Sequence, residues 1–249
     1  MDIRQRAKPT PSHRMPPGAT VARGHDDRRR LRRCGGMLLV FAGIFLPLWG
    51  FGAMADGVRE GQAFAFDLPV LRAVHALASA GLDRVFLAIS ALGYGWGVLP
   101  ADALLVLGLA LARRLREMAF AGIAIVGSLA LDLAVKHAFA RTRPSLWESL
   151  VHETSYSFPS GHAMASMTLA WVVALLCWSG RFRRGWALRW PATVVAAAFV
   201  LLVGVSRLYL GVHYPSDIFA GWTAASIWVV CVHAFTLHGR PGPRAAAPR

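Results

Sequence analysis

The feature that most constrains this chain is a series of apolar stretches, each long enough to cross a membrane as a helix. A helix needs about 20 residues to cross the hydrocarbon core of a bilayer. The composition, with 55% hydrophobic and 16% charged residues, is that of a membrane protein rather than a soluble domain. The sequence therefore predicts an all-α, polytopic membrane protein with six transmembrane helices, at residues 34–55, 85–112, 118–135, 163–180, 190–206 and 218–237.

The two ends of the chain have a different composition. Residues 1–33 are rich in Arg and Pro, and residues 238–249 are similar. Such segments bury too little apolar surface to fold. We therefore expect a basic tail at 1–33, a membrane domain at 34–237 and a short tail at 238–249. The first apolar run resembles a signal peptide, but it exceeds the usual length of about 7–15 residues, which favours an uncleaved anchor.

The net charge of +14 would suggest nucleic-acid binding in a soluble protein. Here the arginines flank the apolar runs, in clusters at residues 28–33, 113–116, 181–189 and 240–249. All four clusters lie on one side if the spans alternate, and the positive-inside rule makes that side the cytoplasm. The charge therefore predicts a multi-pass protein of a bacterial-type inner (plasma) membrane, with both termini cytoplasmic and no nucleic-acid partner.

Three polar segments are predicted to meet at the outer face. "KHAFARTRP" (136–144) ends the third predicted span, "PSGH" (159–162) opens the fourth, and "SRLYLGVHYPSD" (206–217) joins the fifth to the sixth. The end of an odd-numbered span and the start of the next lie on the same side of a membrane. We therefore expect one site, built from all three segments and facing the periplasm or the exterior.

The chemistry of these segments predicts a site for an oxyanion. Lys136, Arg143 and Arg207 are cations. Guanidinium groups bind phosphate oxygens through paired hydrogen bonds, and a lysine adds a compact charge. Ser160 and Gly161 begin a helix, whose free N–H groups and dipole also favour an anion.

Turnover of a phosphate needs a group that attacks phosphorus and a group that protonates the departing oxygen. His213 and His162 are the candidates. Asp217 follows His213 by four positions. At the start of the last helix, its carboxylate could hydrogen-bond one imidazole nitrogen and leave the other basic.

The three segments resemble the type 2 phosphatidic acid phosphatase (PAP2) superfamily, which also includes vanadium haloperoxidases. The family pattern is Lys, six residues, Arg-Pro; then Pro-Ser-Gly-His; then Ser-Arg, five residues, His, three residues, Asp. Every position matches in order, from Lys136 to Asp217. The resemblance covers roughly residues 35–237, and the six-span layout resembles the bacterial integral-membrane lipid phosphatase branch.

The resemblance implies a role for each matched residue. His213 would form a phosphohistidine, His162 would be the general acid, and Asp217 would orient His213. The phosphate would be bound by Lys136, Arg143, Ser160, Gly161 and Arg207. No metal or other cofactor would be needed, and no obligate protein partner is indicated.

We therefore predict a membrane phosphatase that acts on a lipid phosphate or diphosphate, such as undecaprenyl diphosphate, phosphatidic acid or phosphatidylglycerol phosphate. A lipid A phosphatase or a lipid phosphotransferase of the same family remains open. A vanadate-dependent haloperoxidase and a non-catalytic lipid-binding protein are disfavoured, since haloperoxidases are generally soluble and a binding protein needs no paired histidines.

Polar residues outside the motifs support weaker expectations. Asp132 lies four residues before Lys136 and is expected to pair with it or with a neighbour. Asp67, followed by Pro69, is expected to cap a short helix at the outer membrane surface. The role of the intramembrane Asp102 stays open. Four residues near the site are candidates for contact with a lipid headgroup: His137, Arg141, His152 and Tyr156.

Overall fold

The computed structural model of the chain describes residues 45–62, 64–179 and 185–237, with the side chains of residues 185 and 186 excepted. The chain divides into two compact units, Met1–Phe45 and Leu46–Arg249. Apart from residue 45, the first residue of α1, all the helices and contacts below belong to the second unit. The expected tails at 1–33 and 238–249, and residues 34–44 of the first predicted span, lie outside the described residues.

The described chain is helical, as the sequence predicts, and no strand occurs within it. Residues 45–59 are helical and are called α1. The other helices are α2 (Asp67–His75), α3 (Ala80–Leu92), α4 (Val98–Leu111), α5 (Leu115–Phe139), α6 (Gly161–Trp178), α7 (Gly185–Tyr209) and α8 (Pro215–Leu237).

The predicted count of six membrane spans is not confirmed. Within the described ranges, four helices are long and apolar enough to cross a membrane: Leu115–Phe139, Gly161–Trp178, Ala187–Tyr209 and Pro215–Leu237. They correspond to the last four predicted spans. The chain is therefore a multi-pass membrane protein, and these are the spans that carry the polar motifs.

The predicted second span, residues 85–112, is wrong as a single helix. The chain turns at residues 93–97 and forms two shorter helices, α3 and α4. A Cβ at Gly97 would come 2.2 Å from the carbonyl oxygen of Leu92, so the turn is too tight for any side chain. Hydropathy does not reveal the break, because the residues on both sides of it are apolar.

Helix α6 lies against α5, α7 and α8. Its side chains join a fully buried apolar cluster that includes Phe120, Ala124, Val172 and Val229. Large apolar side chains on the outside of the bundle are exposed, such as Val195 and Phe235, as expected for a lipid-facing surface. This packing brings the end of α5, the start of α6 and the α7–α8 turn to the same end of the bundle.

The short helix α2 differs from expectation in one respect. Asp67 is not its N-cap: the cap position is Phe66, and Asp67 is the first helical residue. The Asp67 carboxylate is buried and accepts hydrogen bonds from the backbone N–H (2.9 Å) and the hydroxyl (2.6 Å) of Ser216. A charged residue at the start of α2 therefore fastens this helix to the first turn of α8.

Candidate active site

The three polar segments meet at one end of the helix bundle. Lys136 lies in the last turn of α5, and Arg143 follows in the loop after it. Ser160 precedes the first residue of α6, while the third segment runs from the end of α7 to the first turn of α8. The backbone N–H of Ser160 donates to the carbonyl oxygen of Asp217, 3.0 Å away. A main-chain hydrogen bond therefore joins the second motif to the third.

Lys136 is held in an ion pair at the end of α5. Its ammonium group donates to both carboxylate oxygens of Asp132, at 2.8 and 2.7 Å. This is the pairing expected from their spacing of four residues. Gly161, in the first turn of α6, lies directly against this pair. The first two motifs are thus in contact through the Asp132–Lys136 ion pair.

Arg143 is fixed by backbone and side-chain acceptors on two segments. Its Nε donates to the carbonyl of Ser155 and its Nη2 to the Ser155 hydroxyl, at 2.8 and 3.0 Å. Its Nη1 donates to the carbonyl of Val212 at 2.8 Å and lies 3.1 Å from His213 Nε2. The guanidinium group therefore lies against His213 Nε2, the ring nitrogen that would attack a phosphate.

His213 is 1% exposed, and its two ring nitrogens face different groups. Because a guanidinium can only donate, Nε2 accepts from Arg143 and carries no proton. The proton of the neutral imidazole then lies on Nδ1, which is 3.5 Å from Oδ2 of Asp217. Burial, reinforced by the charges of Arg207 and Arg143, lowers the pKa of His213 well below its usual range. The ring is neutral at physiological pH, as a nucleophile must be.

Asp217 is fully buried, but the expected hydrogen bond to His213 is not formed at the 3.5 Å separation. Its carboxylate is bound by other donors. Oδ1 accepts from Arg141 Nη1 at 2.5 Å. Oδ2 accepts from the Ser157 hydroxyl at 2.6 Å and from the backbone N–H of Tyr214 at 2.9 Å. The acid lies beside the imidazole, and its position is set by the loop that follows α5.

Arg207 is also almost fully buried and has acceptors on two other segments. Its Nη1 donates to the hydroxyl of Ser90 on α3, and its Nη2 pairs closely with the Glu153 carboxylate. The second Glu153 oxygen lies 3.6 Å from Arg143 Nη2. A carboxylate from the loop between α5 and α6 thus bridges the two arginines that the sequence predicts to bind phosphate.

His162 lies in the first turn of α6, with its ring 5.0 Å from the ring of Tyr94. The cationic side chains near it are Arg207, Lys136 and Arg143. The backbone N–H of Ser160, predicted to face an anion, is instead bonded to Asp217. The N–H groups of the first turn of α6 itself have no partner inside the helix.

Several buried polar atoms of the site lack a hydrogen-bond partner within the described chain. They are the hydroxyl of Ser160, Nε of Arg207 and Nδ1 of His213. Buried polar atoms are normally satisfied, so the Ser160 hydroxyl and Arg207 Nε mark a place for a polar ligand, whereas His213 Nδ1 faces Asp217. Donors from arginines, a serine and a helix start fit an oxyanion. No three His, Cys, Asp or Glu side chains in the described ranges are grouped as metal ligands.

All eight residues that the sequence singles out therefore lie at this end of the bundle. Five partners were not identified from the sequence: Ser90, Glu153, Ser155, Ser157 and Ser216. Glu153, Ser155 and Ser157 belong to the loop between α5 and α6. No sequence pattern indicates which residues of this loop point into the site.

The structure shows the surroundings of the four residues expected to contact a lipid headgroup. Arg141 is bonded to Asp217 and to Asp67. His137 and Tyr156 face each other with ring centres 6.1 Å apart, and His152 is exposed. Asp102 is buried in α4, where its Oδ1 has no partner among the described residues.

Comparison with known proteins places this arrangement in a family. The model of the PAP2 superfamily matches residues 117–240. Phosphatidylglycerophosphatase B of Bacillus subtilis is 25% identical over 74% of this chain and 90% of its own length. An undecaprenyl-diphosphatase of Sulfolobus acidocaldarius is 29% identical, over 68% of this chain and 77% of its own.

A solved structure has the same fold. The crystal structure of a transmembrane PAP2-type phosphatidylglycerolphosphate phosphatase from Bacillus subtilis superimposes with a TM-score of 0.70 at 24% identity. The match covers 80% of this chain and 98% of that one.

Proposed function

Because the chain belongs to the PAP2 superfamily, whose membrane members hydrolyse lipid phosphate esters, we propose that it removes a phosphate group from a membrane lipid through a phosphohistidine on His213. The observation that carries the proposal is the 3.1 Å contact between Arg143 Nη1 and His213 Nε2. It sets an unprotonated nitrogen beside a phosphate-binding group. A structural histidine at a helix junction has no need of that arrangement.

In the proposed first step, His213 Nε2 attacks phosphorus in line with the bond to the leaving oxygen. The N–P bond forms as the P–O bond breaks, and His162, which has to be an imidazolium at this point, donates one proton to the leaving oxygen and becomes neutral. Lys136, Arg143, Arg207 and the first-turn N–H groups of α6 stabilise charge on the equatorial oxygens. The imidazole becomes cationic during attack, which the neighbouring Asp217 carboxylate favours.

The second step releases the phosphate. His162, deprotonated in the first step, takes a proton from water, and the oxygen of that water forms a bond to phosphorus. The N–P bond breaks and the electron pair returns to His213 Nε2. The products are inorganic phosphate and the dephosphorylated lipid, and both histidines regain their starting protonation states.

The substrate is proposed to be a lipid monophosphate or diphosphate, with undecaprenyl diphosphate and phosphatidylglycerol phosphate as the leading candidates. The names of the two relatives above support this choice. The motif residues contact only the phosphate in this mechanism. Selectivity for the lipid would then come from surfaces between the helices, because those surfaces contact the chains.

The site is proposed to face the periplasm or the exterior, with both termini in the cytoplasm. The support is the distribution of arginines, which cluster at the ends of the spans opposite the site. Fusions after residue 249 check this directly. Fluorescence from a green fluorescent protein fusion, with no activity from an alkaline phosphatase fusion, is expected; the reverse result would contradict the orientation.

A phosphate-release panel tests the function. The purified protein in detergent is given undecaprenyl diphosphate, phosphatidylglycerol phosphate and phosphatidic acid, with inorganic phosphate measured. His213→Ala is expected to lower turnover by about four orders of magnitude or more, and vanadate is expected to compete with the lipid. Wild-type turnover in the His213→Ala protein would overturn the mechanism. Vanadate-dependent halide oxidation would point instead to a haloperoxidase.

A further inference from the structure

A line of alternating charges leads from α2 to the proposed nucleophile. The Asp67 carboxylate lies 3.0 Å from Arg141 Nη2, and Arg141 Nη1 lies 2.5 Å from Asp217 Oδ1. Asp217 Oδ2 is 3.5 Å from His213 Nδ1. One guanidinium group thus stands between two buried carboxylates, the second of which faces the imidazole.

Ser216 closes this line into a network. Its hydroxyl donates to Asp67 Oδ2 at 2.6 Å and accepts from Arg141 Nη1 at 2.8 Å. Its backbone N–H donates to Asp67 Oδ1 at 2.9 Å. Both Nη atoms of Arg141 and both carboxylate oxygens of Asp67 therefore have hydrogen-bond partners, so the Arg141 side chain has little freedom to move.

The charges explain why such a network is needed. Asp217 is fully buried, and an isolated buried carboxylate is costly. Ser157 and Tyr214 supply neutral donors, and Arg141 supplies the full positive charge nearest to it. That charge favours an ionised Asp217, and only an ionised Asp217 can stabilise the cation that His213 becomes when it attacks.

We propose that Arg141 and Asp67 are positioning residues of the reaction: they hold the Asp217 carboxylate ionised and in place beside His213. Neither residue touches the substrate in this role. Asp67 lies on α2, outside the span 117–240 that matches the family model, so the outer-surface helix becomes part of the catalytic apparatus. The inference rests on the proposed role of His213 as nucleophile.

A competing role for the pair is contact with the lipid headgroup. Arg141 and Asp67 also line a cavity of about 260 Å³ together with Gln62 and Tyr214. Against that role, the two Nη atoms of Arg141 already bond to the two carboxylates and to Ser216. The Tyr214 ring also packs against the guanidinium group, with its centre 4.2 Å from Arg141 Cζ. The two roles differ in what they do to kcat and KM.

A double-mutant cycle distinguishes them. Arg141→Gln and Asp67→Asn are each made in the wild-type protein and in an Asp217→Asn background, and kcat and KM are measured with undecaprenyl diphosphate. Each single change is expected to lower kcat by about 10- to 100-fold with KM little altered, the effect of losing one hydrogen bond to a charged group. In the Asp217→Asn background each is expected to have an effect of less than about threefold, because residues that act as one unit are not additive.

Rescue by a conservative variant gives a second measurement. Arg141→Lys keeps one charge near Asp217 without the two-pronged geometry that bonds Asp67 and Asp217 together. It is therefore expected to restore only part of the kcat that Arg141→Gln loses.

Arg72→Gln is the matched control, since Arg72 is exposed on the same helix as Asp67; it is expected to change nothing. The positioning role is overturned if Arg141→Gln or Asp67→Asn acts as strongly in the Asp217→Asn background as in wild type. It is also overturned if either raises only KM, which would indicate headgroup contact. If Arg141→Gln does not purify as a monodisperse protein, the nearly isosteric Asp67→Asn decides between the two roles.

Failure of the proposed function would give a different result, because the wild-type protein would then release no phosphate.

Discussion

Gly161 lies so close to Lys136 that a Cβ on Gly161 would come 2.9 Å from the lysine Nζ, and 3.0 Å from Asp132 Oδ2. The start of α6 and the end of α5 therefore meet with no room for a side chain. The atoms that such a Cβ would displace lie at the ends of flexible side chains. The fold can therefore accommodate a methyl group here, but the Lys136 ammonium group would have to move.

Gly161→Ala is accordingly expected to weaken phosphate binding without unfolding the protein. We expect the inhibition constant for vanadate to rise by about tenfold, in proportion to the loss of one charged hydrogen bond. Gly122→Ala on α5 is the control, because a Cβ there meets nothing within 4 Å. Equal inhibition constants for Gly161→Ala and wild type would show that Lys136 does not contact the anion.

Arg143→Lys tests whether the geometry of the guanidinium group matters beyond its charge. A lysine cannot bond to Ser155, to Val212 and to a phosphate at once, because it lacks the planar fork. We expect kcat to fall by about 10²- to 10³-fold, as for removal of one transition-state donor. Arg84→Lys, on the exposed side of α3, is the control. A loss of less than about threefold would mean that charge alone suffices.

Glu153→Ala tests the carboxylate that pairs with Arg207 and lies near Arg143. Glu153 occupies Nη2 of Arg207 and lies near Nη2 of Arg143, so it competes with a phosphate for these donors. Removing the carboxylate is therefore expected to lower the inhibition constant for vanadate by about 10-fold or less. Glu148→Ala is the control, since Glu148 is exposed on the same loop between α5 and α6. A higher inhibition constant in Glu153→Ala would instead mean that Glu153 holds Arg207 ready for the anion.

The protonation state of His213 can be measured directly. Its lowered pKa means that the ring stays neutral as the pH falls through the ordinary histidine value of about 6.5. In ¹⁵N spectra of protein labelled at histidine, the signals lost in His213→Gln are expected to be those of a neutral ring with its proton on Nδ1, at both pH 8 and pH 6. A protonated Nε2 at pH 6 would contradict both the burial effect and the Arg143 contact.

The convergence of the motifs could be predicted because it depends only on the helices that carry them. Helices α5 to α8 are the four long apolar helices of the described chain, and alternation across the membrane brings Lys136, His162 and His213 to one side. The count of spans before α5 does not enter that argument. The error in the predicted span 85–112 therefore left the prediction of the site unaffected.

The remaining features depend on contacts that no sequence pattern encodes. Asp67 and Ser216 are 149 positions apart, and Arg207 and Ser90 are 117 apart. A serine or a glutamate in an outer loop has the same appearance in the sequence whether it faces water or an arginine. The capping role expected of Asp67 was wrong because a tertiary contact with α8 took the place of a local one.

The hydrogen bond from the Ser160 N–H to the Asp217 carbonyl oxygen has a practical consequence for mutagenesis. It is made by main-chain atoms alone, so an alanine scan of the three motifs would leave it intact and would understate how firmly α6 and α8 are joined. An ester in place of the peptide bond at Ser160, introduced by protein semisynthesis, would remove that donor while keeping every side chain. The change in turnover would measure how much the reaction depends on the relative position of α6 and α8, as distinct from the side chains that these helices carry.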